Sequence, residues 1–127
     1  MHKLHNPASL PQPASRYSQA VETTGASRWL HVAGQVGAAA DGSIATTLEG
    51  QHEQAWRNVL AALEAAGMGP QHLVKVTGYV TTAEQVPLFR QVRDRLLGDA
   101  RPASTLVVVA ALAAPAWQVE IEAIAAA

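Results

Sequence analysis

The sequence predicts an α+β fold in the order β-β-α-β-α-β-β, a mixed sheet with two helices packed on one face. Two stretches have apolar residues at helical spacing, each lies between apolar runs of strand length, and the last strand alternates apolar with polar residues. At 127 residues the chain has room for one domain, 1–127, large enough to bury a core without metal or disulfide staples.

Residues 1–15 hold Pro7, Pro11 and Pro13 and no periodic apolar pattern, so they read as an irregular N-terminal arm. Tyr17–Val21 and Arg28–Val36 read as extended. The turn formers Thr23, Thr24, Gly25 and Ser27 lie between them, which predicts a hairpin. In the second of these strands Leu30, Val32, Gly34 and Val36 share one face and Trp29, His31, Ala33 and Gln35 the other, so both faces are at least half buried. Gly34 marks a close backbone approach, and Asp41-Gly42 a turn. Thr46-Thr-Leu-Glu49 matches a capping box, in which a hydroxyl and a carboxylate each satisfy a free N–H at a helix start. A helix over 47–66 follows, with Trp56, Val59, Leu60 and Leu63 as its apolar stripe and Gly67 as its stop.

His72–Thr82 reads as a strand, with Val74, Val76 and Val80 opposite Lys75, Thr77 and Tyr79. Thr81-Thr-Ala-Glu84 is a second capping box, and Val86, Phe89, Val92 and Leu96 then repeat at helical spacing up to Gly98, with Pro87 in the first turn. Strands over Thr105–Ala110 and Trp117–Ala125 close the chain. In the last, Trp117, Val119, Ile121 and Ala123 face one way and Gln118, Glu120, Glu122 and Ile124 the other. With both helices on one face, the other sheet face needs cover, and further subunits are the simplest source.

Nine Lys and Arg against ten Asp and Glu give a formal charge of −1, so no basic surplus exists to neutralise phosphates or coat an anionic membrane. The absence of cysteine excludes disulfides and thiolate chemistry and fits a reducing, cytoplasmic setting. The N-terminus lacks the apolar run of an export signal. The longest apolar stretch, Leu106–Trp117, is shorter than the roughly 20 residues that span a bilayer and contains Pro115. The phosphate-binding glycine motifs, the serine-hydrolase elbow and the zinc-peptidase helix motif are all missing. The five histidines show no paired metal spacing, so no metal site is expected, and His31 reads as a packing residue.

Glu120 and Glu122 stand two apart on one strand and point to the same side. Such a pair suits general acid or base chemistry if enclosed, and is equally a solvated or arginine-paired strand face if not. Tyr17 by itself is a packing aromatic.

Taken in order, Tyr17-Ser-Gln-Ala-Val21, Leu30-His-Val-Ala-Gly-Gln35, Leu63-Glu-Ala-Ala-Gly67, Val74-Lys-Val-Thr77, Arg101-Pro-Ala103 and Val119-Glu-Ile-Glu-Ala-Ile124 resemble the Rid family of reactive-intermediate (enamine/imine) deaminases. The likeness covers nearly the whole chain after residue 15. It implies a chorismate-mutase-like fold assembled as a homotrimer, strands inside and helices outside, with small-molecule pockets between subunits. It also implies cofactor-free hydrolysis of 2-imino or 2-enamino acids to 2-oxo acids and ammonia. In that pattern an arginine after the Pro-Ala pair grips the substrate carboxylate, and a last-strand glutamate places the attacking water.

Here Arg101-Pro-Ala-Ser104 puts Ser104 where the pattern has its arginine. A hydroxyl offers one neutral hydrogen bond in place of a bidentate, charge-assisted pair, so ordinary imino acids are not the expected substrate. Glu120 matches the family glutamate, Tyr17 its pocket tyrosine, and Arg90 falls where relatives often carry asparagine. The expected site therefore has Glu120 as the catalytic residue, Tyr17 and Ser104 on the substrate, and Arg90 or Arg101 supplying a relocated positive charge. Two functions fit: a hydrolase or deaminase acting on another imine, enamine or related small metabolite, and a non-catalytic ligand-binding protein on the same fold. RNA cleavage, attached to some relatives, is disfavoured by the charge balance.

Overall fold

A computed structural model describes residues 1–127. In chain order its elements are β1 (His2–His5), β2 (Ala20–Thr23), β3 (Trp29–Val36), α1 (Leu48–Ala65), β4 (Leu73–Val80), α2 (Val86–Leu97), β5 (Ala103–Val108) and β6 (Val119–Ala126). Single 3₁₀ turns at Pro70–His72 and Ala83–Gln85 lead into β4 and α2. The main sheet has the order β3-β6-β4-β5, with β4 and β5 parallel and the other pairs antiparallel. It is the mixed α+β sheet that the pattern predicts, and α2 is the crossover that a parallel pair requires. No helix is long and apolar enough to cross a membrane.

β6 sets the two faces of this sheet. Val119, Ile121, Ala123 and Ala125 are buried beneath the helices, whereas Glu120, Glu122 and Ile124 take the open face. Val76, Gly78 and Val80 of β4 lie opposite buried β6 residues, and Lys75, Thr77 and Tyr79 stand on the open face beside Ile124, Glu122 and Glu120. A register shift between Leu73 and Lys75 brings Leu73 into the core and leaves Val74, expected on the Val76 face, half buried.

α1 presents Ala55, Trp56, Val59 and Leu63 to the sheet. The cap is Thr47, one residue past the expected position. Its Oγ1 accepts from the Gly50 N–H at 3.0 Å, and since glycine has no side chain, no reciprocal bond closes a box. Gly67, at φ 69°, ends the helix in the left-handed conformation, with N–H groups of Gly67 and Met68 donating to Glu64 and Leu63. The second capping box does not form either. The Thr81 hydroxyl donates to Gln118 Oε1 at 2.6 Å and accepts from Gln85, while α2 begins only at Val86.

The N-terminal half departs from expectation. Residues 2–5 of the supposed irregular arm form β1, which pairs antiparallel with β2 from His2↔Thr23 to His5↔Ala20. The hairpin between the second and third strands is therefore replaced: β2 is taken by β1, and β3 pairs with β6. A long-range partner offers β3 six paired residues beside a buried strand, which the four-residue β2 cannot match.

Two contacts in the core yield predictions. His52 is fully buried on α1, edge-on to Phe89, with Nε2 donating to Gln85 Oε1 at 2.8 Å. The donor role follows because Gln85 Nε2 is committed to the hydroxyls of Thr81 and Thr82. Nδ1 has no hydrogen-bond partner. Burial holds the imidazole below its ordinary value, and the Gln85 bond only partly opposes this. The unfolded chain therefore binds the extra proton first: stability is complete above about pH 6.5 and is lost as pH falls through the lower folded-state value. Denaturant unfolding between pH 7 and pH 5 should show this loss, and His52→Gln should flatten it. The second contact is at Gly78, where a Cβ would enter the Phe89 ring. Gly78→Ala should cost about 1–3 kcal/mol of unfolding free energy through overpacking.

Candidate functional site

The segment before β2 is tied to the start of β5. Ser18 N–H donates to Pro102 O at 3.0 Å, and Ser18 Oγ donates to Arg101 O at 2.6 Å. These bonds lay Tyr17 over the seam between β5 and α2. There a cavity of about 190 Å3 is lined by Tyr17, Arg90, Arg93, Ser104 and Leu106. Ser104 faces it because β5 runs in parallel register with β4, pairing Ser104 with the buried Val76 and turning its hydroxyl toward α2.

Arg93 occupies the centre of this site and was not among the residues expected there. It is only 3% exposed. Its Nη2 donates to Ser15 Oγ at 2.8 Å, Nη1 to Ser104 Oγ at 3.3 Å and Nε to Asp94 Oδ1 at 3.0 Å, and the guanidinium carbon lies 5.8 Å from the Tyr17 ring centroid. A buried cation is tolerated only with such compensation. The sequence holds one signal for it: Phe89, Arg93 and Leu97 are spaced by four, so Arg93 falls on the buried stripe of α2. Reading only apolar residues selected Val86 and Leu96, which are half buried, and passed over the charged one.

The remaining expected residues divide. Tyr17, Ser104 and Arg90 meet at the cavity. Arg101 does not join them: it is exposed and lines a separate hollow with His2, Gln71 and Asp99. Glu120 also lies apart, since it pairs with Tyr79 and Val36 on the open face, opposite to Ser104. Its carboxylate covers Gly34, where a Cβ would collide with it. That close approach sits in a bulge, where Val32 pairs with Ala123 and Gln35 with Ile121. The bulge turns Gln35 to the Ile121 face and Val36 to the Glu120 face, reversing the alternation expected beyond Gly34.

The rest of the open face mixes polar groups with apolar ones such as Ile124 and Ala33. Tyr79 donates to Glu122 Oε1 at 2.6 Å, and this bond raises the phenol above its usual value, helped by desolvation and the charges of Glu122 and Glu120. Lys75 donates to Thr105 Oγ1 at 2.6 Å. His31, Lys75, Thr77 and Glu122 border an open hollow of about 440 Å3. No group of three or more His, Cys, Asp or Glu is placed to hold a metal ion.

Comparison with known proteins accords with the fold. The family model described as "Endoribonuclease L-PSP" matches residues 7–127. A RutC family protein of Aquifex aeolicus is 34% identical over 128 residues, 98% of each chain. A 2-iminobutanoate/2-iminopropanoate deaminase of Dermatophagoides farinae is 30% identical over 116 residues, 90% of this chain and 88% of the relative. The crystal structure of the Rid protein YyfB from Yersinia pestis superposes with a TM-score of 0.89 at 30% identity, covering 99% of this chain and 98% of that one. Fold, sequence and the order of the motifs agree, and the chain belongs to the Rid family, whose model carries that endoribonuclease description.

Proposed function

We propose that the protein is a cofactor-independent hydrolase of the imine-deaminase type, acting on an imine, enamine or related small metabolite other than the usual 2-imino acids. The observation that carries this is the buried Arg93 guanidinium against Ser104, which returns a positive charge to the place where Ser104 gives one up. Tyr17 and Arg90 complete the pocket around it. The relative named 2-iminobutanoate/2-iminopropanoate deaminase supports the reaction class. Ser104 orients the ligand together with Arg93, and the positive charge sought at Arg90 or Arg101 comes from Arg93 and Arg90.

Glu120 serves as the base. It removes a proton from water as the oxygen adds to the imine carbon. The tetrahedral adduct then expels ammonia, leaving the oxo compound, so one water is consumed for each ammonia released. Within one chain Glu120 and Ser104 face away from each other. The proposal therefore includes a homotrimer in which the Gly34–Glu120 edge of one copy meets the Tyr17–Ser104 pocket of the next. The open face, with its mixture of polar and apolar residues, lies inward, and the cysteine-free chain works in the cytoplasm.

The test is semicarbazide trapping of imines made in situ by an amino-acid oxidase from a panel of amino acids, beside 2-iminobutanoate from a threonine dehydratase. The reading expects hydrolysis of at least one panel imine to outpace that of 2-iminobutanoate. Glu120→Gln should reduce kcat by about 100-fold or more, the scale of a lost general base. Ser104→Arg should fail to restore ordinary activity, because the new guanidinium would lie against Arg93. Absence of all turnover, with oxo acids still raising Tm, would favour the non-catalytic binding protein. Hydrolysis of RNA in place of imines would support the description of the family model instead.

A further inference from the structure

Resting on this reading of the pocket, we propose that the site selects small ligands carrying two anionic groups, Arg93 holding one and Arg90 the other. The two arginines stand three apart on α2, so they share one side of the helix with Cβ atoms about 5–6 Å apart. Both line the same cavity of about 190 Å3, and none of the five lining residues is acidic.

Their environments differ in a way that suits two separate contacts. Arg93 is held rigidly by Asp94, Ser15 and Ser104. Of its five N–H groups, three are used, which leaves one on each terminal nitrogen for a ligand oxygen. Asp94 touches only Nε, away from those two donors. Arg90 is exposed at the rim and has no carboxylate partner, whereas Arg57, Arg93 and Arg95 are each paired with an acid. Arg16 is occupied by the carbonyls of Asp94 and Gly98 at the end of α2. A ligand with one carboxylate satisfies Arg93 and leaves Arg90 in water. A second carboxylate two or three carbons away from the first satisfies both.

Two 2-oxo acids of equal chain length test this: 2-oxopentanoate, with one carboxylate, and 2-oxoglutarate, whose second carboxylate replaces the terminal methyl. Binding to the full-length protein is measured by titration calorimetry, so the result does not depend on turnover. The expected outcome is Kd for 2-oxoglutarate lower by about 10-fold or more, the scale of one charge-assisted contact. Arg90→Gln, a surface change, should bring the two Kd values together by weakening 2-oxoglutarate alone. Arg93→Lys, which keeps the charge in the buried position but loses the fork, should weaken both ligands. Raising the salt concentration should narrow the preference, since Arg90 is solvated.

Equal affinities in the wild type would overturn the two-anion proposal while leaving the pocket in place. A preference untouched by Arg90→Gln would overturn it as well. Failure of both acids to bind would remove the proposal together with the pocket reading beneath it.

Discussion

β6 is hydrogen-bonded along both edges, to β3 on one side and β4 on the other, and its two-residue alternation governs the chemistry of both sheet faces. Val119, Ile121, Ala123 and Ala125 enter the core, so Glu120 and Glu122 must stand on the open face. A slip of one residue would drive both carboxylates under the helices, among Trp56, Val59 and Phe89, at the cost of desolvating them. Through β4 the same register reaches β5 and turns Ser104 toward α2. The separation of Glu120 from Ser104 is thus a consequence of the pleat, and the proposed assembly is the way the two come together.

The pocket lies in a seam between layers, where sheet and helix each contribute a side chain. Ser104 approaches from the sheet and Arg93 from the helix, and their side chains meet at 3.3 Å. In the proposed function, a guanidinium mounted on α2 serves the region that the family pattern supplies from the strand. Burying it requires acceptors, and these come from three places: Asp94 beside it, Ser104 opposite it and Ser15 from the N-terminal segment. The backbone bridge between Ser18 and Ala103 keeps that segment in place, so the part of the chain that looks least structured in sequence closes one wall of the site.

Much of the fold is legible from periodicity because a core strand or helix must repeat its apolar residues wherever it lies. Trp56, Val59 and Leu63 mark α1, and the expected alternation of the last strand holds from Val119 to Ile124, while Trp117 and Gln118 fall before β6 begins. The errors share a cause. β1 has four residues, of which three are basic or imidazole-bearing, and its strand character comes from pairing with β2. The stripe of α2 was displaced because Gln85 and Arg93 hold buried positions as polar residues, satisfied by His52, the threonines, Ser15 and Ser104. Hydropathy cannot register a buried polar group, whose partners here lie between 3 and 78 residues away.

The sequence by itself determined the two helices and the order of the elements from Trp29 onward, the helix stop at Gly67, the faces of β6 and the serine at position 104, where the family resemblance leads one to expect an arginine. These are local properties, set by side-chain spacing, by the left-handed freedom of one glycine and by residue identity. Tertiary structure decided that β3 pairs with β6, that Gly34 yields its space to the Glu120 carboxylate, that Arg101 stays outside the pocket and that Arg93 enters it. Each of these depends on which distant groups satisfy a buried backbone, charge or hydroxyl, and such partners exist only after the layers have packed.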